Sequence, residues 1–213
     1  MGSRCLQGWG MTETTGALCV ADRYDHDGAF GKCGPFFPGT KAYTVDGELV
    51  IEGPQVARGY YDPEGGFTPF NGKVFTGDFA EVDEQNRLKI LGKVSDRITT
   101  VNGLNYNPLP FEEEIQALDL DRQSQLDEVI VIGDGQPRLG AVFFLRPEAD
   151  LNGQMEVYLK QLLRDFNATR HIDERIDRWT VADGQFQQAG LLGPSGKLLR
   201  RVAEQNYASI FDS

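Results

Sequence analysis

Hydrophobic and polar positions alternate in short runs over residues 30–92. Lys41–Val45, Glu48–Glu52, Val74–Phe75, Phe79–Val82 and Arg87–Leu91 read as short β-type segments separated by Gly, Pro and Asn turns. Asp46-Gly47 is a two-residue hairpin signal, and Asp83-Glu84-Gln85-Asn86 is a longer turn before Arg87. This rhythm predicts a small antiparallel sheet or barrel. Residues 1–20 are small and Gly/Thr-rich, and within them Gly8–Gly16 on composition alone reads as a polar Gly/Thr loop. From about residue 95 the pattern becomes mixed. Ile98–Val101 reads as a strand. Pro108 and Pro110 open a helix whose acidic first turn, Glu112-Glu113-Glu114, suits the positive end of the helix dipole. Val129–Ile132 and Leu139–Leu145 predict a hairpin packed against helices. Asn152 is placed to cap a helix running to about Ala168, with Met155, Leu159, Leu162, Leu163 and Phe166 at helical spacing as a core stripe. Arg200–Phe211 predicts a final amphipathic helix carrying Val202, Tyr207, Ile210 and Phe211. The fold class is α+β: a small antiparallel β-subdomain, then a mixed α/β domain, with the boundary near Gly92–Asp96.

Composition narrows the partners. The chain has 213 residues, enough for one large domain or two smaller ones. The formal charge of −11 argues against nucleic acid or an anionic membrane as the main partner, since both need a cationic face. No apolar run approaches the ~20 residues of a membrane span. Residues 1–5 lack the apolar core of a signal peptide. Cys5, Cys19 and Cys33 form no metal-ligand spacing with His26 or His171, and read as reduced thiols in a cytoplasmic protein.

Four clusters could carry chemistry. Gly8-Trp9-Gly10-Met11-Thr12-Glu13-Thr14-Thr15-Gly16 offers a flat ring, close backbone approach and one hard carboxylate. Phe75-Thr76-Gly77-Asp78 puts a carboxylate just past a short strand, where it can accept both hydroxyls of a ribose. Gly92-Lys93-Val94-Ser95-Asp96-Arg97 places charges at the suspected boundary, and Asn102-Gly103-Leu104 follows a strand. Gly193-Pro194-Ser195-Gly196-Lys197 resembles a phosphate loop but fails its spacing, and Leu198 stands where a hydroxyl residue is required. What remains there is a lysine on a glycine turn, able to reach an anion.

Taken singly, each cluster also fits an ordinary turn. Their order is more telling. Aromatic-Gly-x-Thr-Glu, Gly-Tyr-Tyr, Thr-Gly-Asp, Gly-Lys-x-x-Asp and Pro-Ser-Gly-Lys-x-x-Arg follow one another from about Leu6 to Arg201. This series resembles the AMP-forming adenylating superfamily of acyl-CoA synthetases, nonribosomal peptide synthetase adenylation domains and beetle luciferase.

The resemblance implies activation of a carboxylic acid by ATP to an acyl-adenylate. Transfer to a thiol follows, on coenzyme A or a carrier-protein phosphopantetheine. Trp9 then stacks on adenine, Thr12 lies near the α-phosphate and Glu13 binds Mg²⁺. Asp78 holds the ribose hydroxyls. Lys93 stands where an arginine usually contacts the ribose, keeping charge but losing the planar fork of donors. Ser95 is the hinge, Gly103 admits the thiol arm and Lys197 is the catalytic lysine of adenylation.

By the same resemblance, residues 1–92 are the tail of the large N-terminal domain, 93–96 the hinge and 97–213 the mobile C-terminal lid. The family's phosphate loop and most of its acyl pocket belong upstream of the first motif. The chain by itself is therefore expected to be inactive, and to need the remaining N-terminal part. The choice between coenzyme A and a carrier protein stays open. So does a different class altogether: a non-catalytic fragment or interaction module whose partner supplies the missing half.

Overall fold

The computed structural model describes residues 6–21, 31–149, 153–194 and 196–212. Cys5, His26, the expected helix cap Asn152 and Ser195 lie outside them. The chain forms two compact units, Met1–Ser95 and Asp96–Ser213.

In the first unit, the Gly/Thr-rich stretch is a strand pair rather than a loop. β1 (Gly8–Met11) pairs antiparallel with β2 (Gly16–Val20) around a 3₁₀ turn at Thr12–Thr14. Close approach explains the glycine at position 10, because a Cβ on Gly10 would stand 2.0 Å from the Gly16 carbonyl oxygen. β3 (Lys41–Val45) and β4 (Glu48–Glu52) form the expected hairpin, with Asp46 and Gly47 both at positive φ (50° and 82°). β5 (Gly59–Tyr61) and β6 (Phe67–Pro69) form a separate pair. β7 (Lys73–Val82) and β8 (Leu88–Lys93) complete a four-stranded antiparallel sheet of order β3-β4-β7-β8. Leu18, Cys19, Leu49, Ile51, Val74 and Leu88 are buried in its core.

Two expected strands, Val74–Phe75 and Phe79–Val82, are halves of β7. Glu48 pairs with Phe79 and Val50 with Phe75, so Thr76, Gly77 and Asp78 bulge opposite Leu49. The bulge inserts an even number of residues, so the alternation survives. Val74, Thr76, Asp78 and Ala80 all stay on the buried face.

Asp83 fixes the turn that aligns β7 with β8. It accepts the N–H groups of Gln85 (3.0 Å) and Arg87 (2.9 Å), and pairs with Lys32 Nζ at 2.7 Å and Arg87 Nε at 2.8 Å. The Lys32 ammonium, then Arg87, hold its carboxyl well below the usual 3.8. A depressed carboxylate contributes stability above its unfolded value and loses it as pH falls through the folded one. Asp83→Asn is therefore expected to lower the melting temperature at neutral pH and to flatten its decline below about pH 4. Thermal melts of both proteins across that range check this. An unchanged acid profile would mean that Asp83 contributes nothing to it.

The second unit opens with β9 (Ile98–Thr99) and β10 (Asn105–Tyr106), a short antiparallel pair. The expected strand to Val101 ends at Thr99 because the chain turns back at once: Thr100 N–H donates to Leu104 O at 3.0 Å. α1 (Leu109–Leu120) starts at the prolines. β11 (Leu126–Ile132) and β12 (Leu139–Leu145) form the expected hairpin. α2 (Met155–Asn167) buries Leu159, Leu162, Leu163 and Phe166 in the core, with Met155 packed against them. β13 (Ile176–Val181) runs parallel to β12 and was not legible in the pattern, since Ile176 is its only fully buried residue.

α3 (Arg200–Asn206) is shorter than expected. The chain leaves the helix at Tyr207 and continues as a 3₁₀ turn, Ala208–Phe211. That break seats Ile210 and Phe211 on Gly140 of β12, where a Cβ would meet Ile210 Cδ1 at 2.6 Å.

Candidate functional site

Each unit carries part of the sequence-derived constellation. In the first unit β1 delivers Trp9, the β7 bulge delivers Asp78 and the end of β8 delivers Lys93. Trp9 Nε1–H donates to Asp78 Oδ2 at 3.0 Å. Lys93, the register partner of Asp78, pairs with its Oδ1. The carboxylate is 5% exposed, so both oxygens are held in place by a ring and a cation rather than by bulk water. Trp9 is half-buried and packs edge-on against Phe36, with ring centroids 6.5 Å apart. The bulge is tied down independently. Thr76 Oγ1–H donates to Leu49 O at 2.9 Å, and Gly77 N–H to Glu48 Oε1 at 2.9 Å.

Thr12 and Glu13 lie on the 3₁₀ turn after Trp9's strand, with Thr12 exposed and Glu13 half-buried. Buried Thr14 shapes that turn: its Oγ1 accepts Met11 N–H at 3.1 Å and lies 3.0 Å from Met11 O. Ala57 N–H donates to Glu13 O at 2.7 Å, which docks the turn on the next segment. Tyr60 O–H donates to Glu13 Oε1. Tyr60 carried no role in the sequence reading; only the Gly-Tyr-Tyr spacing marked it. Among the described residues no cluster of three metal-ligating side chains forms. Glu13 thus offers a single hard-oxygen donor, of the kind Mg²⁺ prefers. The thiols Cys19 and Cys33 are free and buried; burial pushes Cys19 up to about 12, which leaves it unreactive. Ser95 lies on the 3₁₀ turn Val94–Asp96, at the junction of the two units.

In the second unit Gly103 and Lys197 sit on separate turns. Gly103 adopts φ 78°, and its N–H donates to Thr100 O at 2.9 Å. The space where a Cβ would go is open. The neighbouring Thr99 N–H donates to Asp134 Oδ1 at 2.9 Å, and Val101 N–H to Gln136 O at 3.0 Å. That second loop is anchored by Glu204 of α3, which accepts Gly133 N–H at 3.0 Å. Burial pushes the Glu204 carboxyl up, against the lowering effect of those N–H donors.

Lys197 is exposed at the end of a tight turn: Gly193 N–H donates to Lys197 O at 2.8 Å, and Leu192 bridges to Leu198. Glu112 stands in the first turn of α1, as the helix-dipole reading expects, and does more than that. It is buried and forms a two-pronged ion pair with buried Arg200, at 2.7 and 3.0 Å. Nothing local signals a partner 88 residues away.

The first unit thus holds a ring, a carboxylate and a cation together on β1, β7 and β8, and the second carries an exposed lysine on a tight turn. The chain belongs to the AMP-binding enzyme family: the family's main sequence model matches residues 1–61, and its C-terminal domain model matches residues 95–213.

Among its relatives is a long-chain-fatty-acid–CoA ligase, FadD15, of Mycobacterium tuberculosis, 27% identical over 98% of this chain and 37% of the ligase. The acyl-CoA ligase lcsD of Purpureocillium lilacinum is 30% identical over 95% of this chain and 55% of its own length. The chain thus spans between a third and just over half of these relatives. Among solved structures, ATP-bound MatB from Rhodopseudomonas palustris matches with a TM-score of 0.67 at 24% identity. That match covers 97% of this chain and 41% of MatB. It shows the fold. Among the described residues no helix is long and apolar enough to cross a membrane.

Proposed function

We propose that the chain is part of an AMP-forming acid–thiol ligase. A carboxylic acid and ATP give an acyl-adenylate and pyrophosphate; a thiol then takes the acyl group and releases AMP. The observation that carries this reading is the Trp9–Asp78–Lys93 contact, with Nε1–Oδ2 at 3.0 Å. A half-buried indole face suits adenine, a fixed carboxylate suits two vicinal hydroxyls, and the adjacent ammonium adds a cationic contact to the sugar edge. Thr12 and Glu13 follow on the next turn, where Thr12 contacts the α-phosphate and Glu13 ligates Mg²⁺. Bound there, Mg²⁺ would neutralise developing phosphate charge.

Lys197 supplies positive charge to the substrate carboxylate and α-phosphate during adenylation. Ser95 is the pivot and Gly103 the loop glycine beside the thiol arm. The names of the relatives favour coenzyme A as the acceptor. Residues 93–96 serve as the hinge between an N-terminal tail, 1–92, and a lid, 97–213. The buried reduced thiols support a cytoplasmic setting. The 213 residues alone are expected to show no turnover, since no phosphate loop is among them. Carboxylate-dependent pyrophosphate release by the purified chain tests this; robust turnover would refute it. AMP titration of the full-length protein, followed by calorimetry, tests the pocket.

The Gly103 role has its own check. Gly103 sits at φ 78°, a conformation a β-branched residue resists. In the full-length protein, Gly103→Val is expected to slow thioester formation about tenfold, a barrier change of about 1.4 kcal/mol. Pyrophosphate release should stay within twofold. Single-turnover assays of each half-reaction decide, and a defect in adenylation instead would reassign the loop.

A further inference from the structure

The geometry points to Arg200, clamped by Glu112, as a positioning residue that sets where Lys197 stands during adenylation. The inference rests on the proposed role of Lys197. β11 is the edge strand of its sheet, so Val131 presents backbone groups that no neighbouring strand pairs. Glu112 and Arg200 take the place of that strand. Val131 N–H donates to Glu112 Oε1 at 2.8 Å, and Arg200 Nη1–H donates to Val131 O at 2.7 Å. The two side chains also close on each other through both prongs, and both are less than a tenth exposed. The start of α3 is therefore held by four mutually dependent polar contacts.

Lys197 lies three residues before Arg200. The intervening backbone has little freedom: Leu199 N–H donates to Leu191 O at 2.7 Å, and Leu191 is fully buried. With the turn stapled at Gly193–Lys197, any shift of Arg200 is passed to the lysine. A buried ion pair contributes little net stability over apolar residues of equal volume, and its best-attested use is to fix register. Here Arg200 Nε is buried with no hydrogen-bond partner, a group left unsatisfied while the other two nitrogens are aimed. The Gly103 turn is closed by its own backbone and by Asp134 and Gln136, bonds that do not involve Arg200; Glu204, which holds the Gly133 end of that loop, lies one turn along α3 from Arg200.

The test uses Arg200→Lys in the full-length protein, with Glu112→Gln as a second variant and Lys197→Ala as the control. Lysine keeps the charge but cannot grip both carboxylate oxygens and the carbonyl together. Arg200→Lys is expected to lower kcat of adenylation ten- to thirtyfold. The KM for ATP, and thioester formation from supplied acyl-adenylate, should stay within twofold. Glu112→Gln should show the same split. Displacing Lys197 weakens only the transition state, which is why kcat falls and KM does not. Parallel loss of both half-reactions, including loss through unfolding seen in near-ultraviolet circular dichroism, would make the pair merely structural. So would no loss at all. If Lys197→Ala left adenylation intact, the role of Lys197 would fall independently of the Arg200 result.

Discussion

Lys197→Ala is expected to slow acyl-adenylate formation by about 10²–10³, while thioester formation from preformed adenylate is largely spared. The size follows from the chemistry. Negative charge builds where carboxylate and α-phosphate meet, and a fixed ammonium there is worth roughly 3–4 kcal/mol. The selectivity follows from timing, because in the second half-reaction AMP leaves and no new phosphoryl bond forms. The structure makes the variant easy to interpret. Lys197 is exposed, and the turn is held by its backbone and by leucines. Removing the side chain should therefore change the melting temperature little. Pyrophosphate release and thiol transfer from synthetic acyl-adenylate are the two measurements. Equal loss in both would sink the assignment.

Asp78→Ala should raise the KM for ATP and weaken AMP binding by about 30- to 10³-fold. Two hydrogen bonds to a charged acceptor contribute roughly 1.5–3 kcal/mol each, less what rearrangement recovers. The change also removes the acceptor for Trp9 Nε1–H and the partner of Lys93, so the ring and the cation lose their orientation together. Asp78→Asn keeps an acceptor for the indole but not the charge, and should fall between. Calorimetric titration with AMP distinguishes the three proteins. Unchanged affinity in Asp78→Ala would remove the ribose role, whatever the fate of Lys197.

How much of this was readable beforehand depended on the range of each interaction. Hairpin turns are local: Asp46-Gly47 sets its register from two residues whose positive φ the sequence advertises. The α2 stripe is likewise a periodicity. β13 escaped because a half-exposed edge strand has no clean alternation, and α3 was read too long because the break at Tyr207 is imposed by packing on Gly140. The candidate site divides the same way. Trp9, Thr12, Glu13, Asp78, Lys93, Ser95, Gly103 and Lys197 were picked out by ordered motifs. Glu112 and Glu204 had no such mark, and the motifs that contain Tyr60 and Arg200 said nothing of their partners, which lie dozens of residues away.

The sequence by itself determined the α+β class, most strand and helix positions and the order of the chemical motifs. Those depend on side-chain periodicity, turn chemistry and spacing along the chain. Only the tertiary structure decided that Asp78 is gripped by Trp9 and Lys93, and that Glu112 and Arg200 stand in for a missing strand beside Val131. Contacts of that kind depend on how a bulge and a sheet edge close in space. Burial then sets their strength, because a charge shielded from water must find a partner wherever the fold brings one.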